Sequence, residues 1–170
     1  MDRRIQCQSN GSAQNSGKIV LNIILANCPS GIKRKVRLYV KALLEREQID
    51  CDEIYITYVN EKQIAEIHRQ FFQDLSVTDC ITFPIDASGN RKTGPCILGE
   101  IYICPPVAKQ YAEEHGFSPE KELTLYLIHG LLHLLGYKDY TEKERRVMRK
   151  KEKEYMEYIE TLEKTNAPKR

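Results

Sequence analysis

The chain has 170 residues, of which 41% are hydrophobic and 29% are charged, and its formal net charge at pH 7 is +2. This length predicts a single domain that buries roughly two-thirds of its unfolded surface, and the composition argues against wholesale disorder. No stretch approaches the roughly 18 uninterrupted apolar residues of a membrane span. The six cysteines lack zinc-finger spacing, which favours reduced thiols and a cytoplasmic location.

The first part of the chain is predicted to alternate strands and helices. Residues 1–17 are rich in Ser, Asn, Gln and Gly and are expected to form a mobile leader, after which a strand is predicted over 19–28. Ser30 is a candidate cap for a helix whose apolar residues recur with helical spacing. A strand over 53–60 and a helix over 61–72 follow.

The second part is predicted to hold two more strands and three helices. The strands cover 77–84 and 96–104 and are joined by an exposed loop over 86–95. The three helices, taken in chain order, are 105–115, 119–135 and 141–162, the last opened by a capping box of Thr141 and Glu144. Because two central strands are joined by a loop, we expect an α+β fold: a single compact domain with a small mixed β-sheet packed by helices. This single domain is expected over 18–165 and a C-terminal tail over 166–170.

Two histidines lie four residues apart in a leucine-rich stretch. The helix around them is apolar on all sides, which predicts a buried helix with His129 and His133 in or beside the core. At this spacing the two imidazoles lie on one helix face, about 6 Å apart. Buried imidazoles are costly unless they are hydrogen-bonded or bound to a metal. The pair is therefore either two satisfied core histidines or half of a metal site.

The residues that follow the histidines favour the metal site. Gly136 is suited to a left-handed helix end that reverses the chain and brings Asp139 over the histidine face. The spacing H-x-x-x-H-x-x-G-x-x-(H/D) is typical of metzincin-type zinc sites. His129, His133 and Asp139 are therefore predicted to bind one zinc ion and to leave a fourth position for water. Metzincin peptidases carry a glutamate directly after the first histidine, and Gly130 in that place disfavours a zinc peptidase.

Three motifs follow one another along the chain: VTDCITFP at 77–84, LGEIYI at 98–103 and HGLLHLLGYKD at 129–139. With them, most of residues 50 to 162 resembles the YbeY family of single-strand endoribonucleases, and Met148 and Glu152 also match a family spacing. The resemblance implies a cytoplasmic, zinc-dependent hydrolase that acts in small-subunit ribosomal RNA maturation and ribosome quality control. It also implies single-stranded RNA and the small ribosomal subunit or its proteins as partners.

Two positions depart from the family pattern. Asp139 stands where the family usually has a third histidine, and Phe72 stands where it commonly has an arginine. Arg69 is either a substitute for that arginine or an ordinary surface residue. Asp79 and Glu100 are either candidates for orienting zinc ligands or ordinary strand-end carboxylates. No catalytic base is assigned from the sequence.

Two basic helix faces are candidates for an RNA track, although each is also compatible with an ordinary solvated face. The first comprises Lys33, Arg34, Lys35, Arg37 and Lys41, and the second comprises Lys143, Arg145, Arg146, Arg149, Lys150, Lys151 and Lys153. Two alternatives to an endoribonuclease remain. One is a non-catalytic, zinc-stabilised RNA-binding factor for ribosome assembly, and the less favoured one is a zinc peptidase.

Overall fold

The computed structural model describes residues 21–86 and 95–166. The predicted leader over 1–17, most of the loop over 86–95 and the end of the predicted tail lie outside these residues. The described elements, in chain order, are β1 (Asn22–Ala26), α1 (Lys33–Arg46), β2 (Glu53–Tyr58), α2 (Glu61–Phe72), β3 (Cys80–Pro84), β4 (Ile97–Ile103), α3 (Pro105–His115), α4 (Pro119–Leu134) and α5 (Glu142–Asn166).

The four described strands form one mixed sheet in the order β1-β2-β4-β3. β1, β2 and β4 run parallel to one another, while β3 pairs with β4 in the antiparallel direction. The loop that was predicted between the last two strands therefore joins an antiparallel pair. The predicted α+β class, with a small mixed sheet packed by helices, is confirmed.

The main core lies on one face of this sheet. Alternate residues of β2 and β4, among them Ile54, Ile56 and Ile101, are fully buried and pack in one cluster with α1, α4 and α5. Full burial of one such side chain contributes about 2 kcal/mol. The other face carries α2, whose Ile64 packs against Ile81 of β3 in a smaller cluster.

Three element ends show how local backbone geometry decides the boundaries. Ser30 does not cap α1: the helix begins at Lys33, because Gly31 has a φ of +89°, which is not helical. β3 begins three residues later than predicted, at Cys80. The predicted capping box of α5 is confirmed, since the backbone N–H of Thr141 donates to Glu144 at 2.8 Å and that of Glu144 donates to Thr141 Oγ1 at 3.2 Å.

Two findings bear on the predicted class of protein. Cys28, Cys80 and Cys104 are free thiols, as expected for a chain that does not depend on disulfides, and Cys7 lies outside the described residues. Within residues 21–86 and 95–166, no helix combines the length and the apolar character that crossing a bilayer requires.

Candidate metal centre

α4 lies directly on the sheet at Gly130. A β-carbon at this position would lie 2.8 Å from Cγ2 of Ile101 and 3.4 Å from Cγ2 of Thr82. The first distance is shorter than van der Waals contact allows, so the helix can approach the sheet this closely because residue 130 has no side chain. The glutamate that a metzincin peptidase carries at this position has no room here. The packing therefore supports the sequence argument against a peptidase.

The structure brings the three predicted ligands together. The Nε2 atoms of His129 and His133 are 2.9 Å apart, and Oδ2 of Asp139 lies 3.8 Å from the first and 3.7 Å from the second. The point equidistant from the corners of this triangle is about 2.0 Å from each atom, which matches the distance of about 2.0 to 2.2 Å at which zinc binds imidazole nitrogen and carboxylate oxygen. Gly136, with a φ of +88°, makes the predicted left-handed turn that returns Asp139 to the histidines.

The hydrogen bonds of the outer ring nitrogens determine the histidine tautomers. Nδ1 of His129 donates to the carboxylate of Glu152 at 2.6 Å, and Nδ1 of His133 donates to the backbone carbonyl of Tyr137 at 3.0 Å. With both protons on Nδ1, the two neutral rings direct their Nε2 lone pairs at each other across 2.9 Å. Such a contact is repulsive unless a cation or a proton lies between the lone pairs. The donor set therefore fits a metal ion.

The charges around the centre act on the two histidines in opposite directions. Burial disfavours the charged form of His129, but the hydrogen bond and charge of Glu152, with smaller contributions from Asp79 and Asp139, raise its pKa above 6.5. Burial and the neighbouring His129 lower the pKa of His133. His133 is thus a neutral lone-pair donor at neutral pH, whereas a proton on His129 competes with a metal.

Asp79 and Cys80 provide further donor atoms beside His129. One ligand atom from each of these three residues lies within 4.8 Å of the other two. The carboxylate of Asp79 is held at the start of β3 by the hydroxyl of Thr78 at 2.9 Å and the backbone N–H of Cys80 at 2.8 Å. Burial and then the charge of Asp79 raise the pKa of the Cys80 thiol well above its ordinary value. Cys80 is therefore a neutral thiol in the metal-free protein.

Two other residues that the sequence offered as site candidates, Glu100 and Arg69, lie away from the centre. Glu100 and Ile101 are neighbours on β4, so their side chains point to opposite faces of the sheet, and Ile101 packs under α4. On the other face, Glu100 accepts a hydrogen bond from the hydroxyl of Tyr102 at 3.0 Å. Arg69 forms an ion pair with Glu66 on its own helix, with Nε donating to Oε2 at 2.9 Å. Of the two strand acids proposed from the sequence, Asp79 lies beside the ligands and Glu100 faces away from them.

The predicted basic faces are partly neutralised. On α1, Lys35 pairs with glutamates and Arg37 donates to the backbone carbonyl of Ile23. On α5, five cations have a glutamate partner: Arg145 and Arg146 pair with Glu142, Lys150 with Glu154, Lys151 with Glu47 and Lys153 with Glu157. Arg145 also donates to the backbone carbonyls of Asp139 and Tyr140 and so supports the turn that carries Asp139.

Glu152 is the candidate site residue whose contact with His129 the sequence reasoning missed. It was noted for its spacing from Met148 and was not assigned to His129. Glu152 lies one helical turn after the apolar Met148 on a predicted helix, and an acid on the apolar side of a helix indicates a carboxylate directed toward the protein interior. That signal was present in the sequence, but the partner of Glu152 became evident once α5 had been placed against α4.

A buried helix that ends in a glycine turn and directs two imidazoles and a carboxylate at one point defines a candidate metal-dependent hydrolase. A family model described as Endoribonuclease YbeY matches residues 26–160. The chain therefore belongs to the YbeY family, and the predicted membership and nuclease class are confirmed. The match also includes α1, which lies before the 50–162 range on which the sequence resemblance rested.

Curated relatives and a solved structure agree with the family match. The Endoribonuclease YbeY of Protochlamydia amoebophila is 43% identical over 124 residues, which are 73% of this chain and 81% of the relative. That of Chlamydia pneumoniae is 40% identical over 124 residues, 71% of this chain and 78% of the relative. The solution structure of a Thermotoga maritima protein has a TM-score of 0.62 and 29% identity, covering 86% of this chain and 94% of its own.

Proposed function

We propose that this chain is a zinc-dependent endoribonuclease of the cytoplasm that cleaves single-stranded RNA. It would act in small-subunit ribosomal RNA maturation and ribosome quality control, with the small ribosomal subunit as its partner. The convergence of His129, His133 and Asp139 on a point about 2.0 Å from all three ligand atoms carries the proposal. Relatives named Endoribonuclease YbeY supply the class of reaction.

Zinc is the ion we propose because of the donor set. Two neutral imidazole nitrogens and one carboxylate oxygen are the ligands of catalytic zinc sites that keep an open position. The side chains of the three ligands are 20%, 23% and 35% exposed, so that substrate can reach the centre from one side. A divalent ion held there would supply the positive charge that polarises a phosphodiester and acidifies a water.

The charge of the surrounding side chains also supports a resident cation. Asp79, Asp139 and Glu152 contribute three carboxylates around the two imidazoles. Among the described residues, none of these carboxylates has a lysine or arginine ion-pair partner. An unoccupied cluster of this kind would repel the phosphates of RNA, whereas a divalent cation would offset most of its charge.

The protein's own contribution is to hold these groups in place. Glu152 and the carbonyl of Tyr137 keep the Nδ1 protons of the two histidines, so that both Nε2 lone pairs remain free. The absence of a glutamate at position 130 is compatible with RNA cleavage, because the 2′-hydroxyl of RNA is an internal nucleophile. Positioning and charge neutralisation can then account for much of the rate.

The test is metal analysis and RNA cleavage measured on the same samples of the full-length chain, His129→Ala and Asp139→Ala. His68→Ala is the matched control, since its ring bonds to the carbonyl of Ser76 outside the centre. We expect about one equivalent of zinc in the wild type and the control, and loss of zinc and cleavage in the other two variants. Undiminished zinc in Asp139→Ala would remove Asp139 from the ligand set.

The competing function is a non-catalytic RNA-binding factor for ribosome assembly. The observation in its favour is that Phe72, 56% exposed, stands where the family commonly has an arginine, while nearby Arg69 is paired with Glu66. Single-stranded RNA that is bound but left uncut in the presence of zinc, manganese or magnesium would favour this function over the nuclease.

A further inference from the structure

Two similar clusters of side chains connect α1 to α5. In the Glu47 cluster, the carboxylate of Glu47 at the end of α1 accepts hydrogen bonds from the hydroxyl of Tyr155 and, at 2.9 Å, from Nζ of Lys151. In the Glu163 cluster the two helices exchange roles, because the carboxylate comes from α5 and the tyrosine and lysine come from α1. The carboxylate of Glu163 on α5 accepts from the hydroxyl of Tyr39 on α1, and Nζ of Lys35 lies 3.0 Å from it. Each carboxylate thus accepts from the hydroxyl of a tyrosine on the other helix and lies beside a lysine.

The two clusters differ in their relation to the metal centre. The hydroxyl of Tyr137 donates to Glu47 at 3.3 Å, and Nζ of Lys151 lies 5.6 Å from the centroid of the Tyr137 ring. Among the described residues, no such contact joins the Glu163 cluster to Tyr137. Tyr137 belongs to the turn between the second and third ligands, and its backbone carbonyl accepts the Nδ1 proton of His133.

Glu47 is suited to act as a rigid anchor. Its side chain is 17% exposed. Burial alone would raise its pKa, but the hydrogen bonds from Tyr155 and Lys151 outweigh burial and hold the pKa below its ordinary value. The carboxylate is therefore ionised at neutral pH, and hydrogen bonds to an ionised acceptor are shorter and stronger than those between neutral groups.

We propose that Glu47 is a positioning residue for the metal centre, acting through Tyr137. The anchored Tyr137 ring restrains the backbone of the turn at one residue. That backbone holds the ring of His133 through the Tyr137 carbonyl and carries Asp139 two residues further on. Displacement of Tyr137 would therefore disturb two of the three ligands at once. This inference rests on the metal centre proposed above.

The experiment compares the two clusters in the full-length chain. Zinc dissociation constants are measured by competition with a chelator for Glu47→Gln and Tyr137→Phe, with Glu163→Gln and Tyr39→Phe as matched controls. The Tm of each metal-free protein is measured in parallel. We expect Glu47→Gln to weaken zinc binding about tenfold and Tyr137→Phe several-fold, as for other residues that orient metal ligands. The controls should lower the Tm but leave the zinc dissociation constant within about twofold of the wild type.

A double-mutant cycle separates positioning from general stability. The effects of Glu47→Gln and Tyr137→Phe on zinc affinity should be non-additive, because the two variants interrupt the same connection. Tyr137→Phe and Glu163→Gln should combine additively. If Glu47→Gln fails to fold, Tyr137→Phe carries the test, because it removes a single hydroxyl.

The outcomes distinguish this inference from the proposed function. Wild-type zinc affinity in Tyr137→Phe and in any folded Glu47→Gln would overturn the inference and leave the metal centre intact. Equal loss of zinc affinity in the Glu163 controls would also overturn it, because the effect would then be one of stability. A wild-type protein that binds no zinc would overturn the proposed centre and, with it, the positioning role.

Discussion

Nδ1 of His129 donates to the carboxylate of Glu152 at 2.6 Å, joining α4 to α5 across 23 positions of sequence. The bond leaves Nε2 of His129 as the atom that faces His133 and Asp139. A carboxylate behind a ligating imidazole also increases the electron density that the ring offers to a metal. The contact therefore influences both the geometry and the strength of the candidate site.

Glu152→Gln should weaken zinc binding. The amide oxygen of glutamine can still accept the hydrogen bond from Nδ1 of His129, but the negative charge of the carboxylate is lost. We therefore expect a zinc dissociation constant about tenfold higher than that of the wild type. Competition with a chelator measures the effect. Glu157→Gln is the control, since Glu157 is exposed on the same helix and pairs with Lys153. Equal affinity in Glu152→Gln and the wild type would show that the carboxylate does not tune the metal.

Zinc affinity should fall as the pH is lowered through the pKa of His129. The pKa of His129 in the metal-free protein is raised above 6.5, so below that pKa a proton occupies the ring and must be displaced by the metal. In Glu152→Gln, which lacks much of the cause of this shift, the fall should occur at lower pH. Dissociation constants measured at roughly pH 5.5 to 8.5 test both statements. A pH-independent affinity in this range would contradict them.

Asp139→His should retain the metal and change the pH dependence of cleavage. A neutral imidazole in place of a carboxylate leaves more positive charge on the ion, which favours ionised oxygen ligands at lower pH. We expect about one equivalent of zinc and an acid limb of the pH–rate profile displaced to lower pH. Asp139→Asn, with a weaker neutral donor, should lose zinc. An unchanged profile in Asp139→His would indicate that the third ligand does not control the reaction.

Arg149 is expected to contact RNA phosphate close to the metal centre. It is exposed, lies one helical turn from both Arg145 and Glu152, and has no ion-pair partner among the described residues. Arg149→Ala should weaken RNA binding and reduce the slope of log affinity against log salt by about one, with zinc content unchanged. Lys153→Ala, which removes a cation already paired with Glu157, is the control. Equal salt slopes for Arg149→Ala and the wild type would contradict the prediction.

Gly130→Ala should destabilise the fold. The added methyl group would overlap Cγ2 of Ile101, and overpacking of this kind costs about 1 to 3 kcal/mol. Denaturant unfolding measures the loss. The double variant Gly130→Ala, Ile101→Ala should lose less unfolding free energy than the sum of the two single variants, because Ile101→Ala removes the overlapping atom. Lys143→Ala at an exposed position of α5 should change the unfolding free energy by less than about 0.5 kcal/mol.

The convergence of the candidate ligands could be predicted from the sequence because their geometry is local. His129, His133 and Asp139 lie within one helix and the turn that follows it, and helix periodicity with a left-handed glycine determines how they meet. Glu152 and Glu47 could not be assigned in this way. They come from α5 and the C-terminal end of α1, and their partners depend on how distant helices pack.

Some helix boundaries could also be predicted from local contacts, and others could not. The capping box of α5 was predictable because Thr141 and Glu144 bond to each other. Ser30 has the right chemistry for a cap, but the backbone of Gly31 turns out of the helical region and delays α1 to Lys33. A dihedral angle of this kind leaves no clear trace in composition, since glycine adopts many conformations.

The close seating of α4 on β4 also bears on how this helix could acquire a new activity. In the genetic code, glycine and glutamate codons differ by a single nucleotide, and a glutamate after the first histidine is what a metzincin peptidase requires. At position 130 the β-carbon of that glutamate would overlap Ile101 and carry the overpacking cost expected for alanine. A smaller residue at position 101 would remove this cost, so the strand beneath the helix favours one order in which the two mutations are accepted.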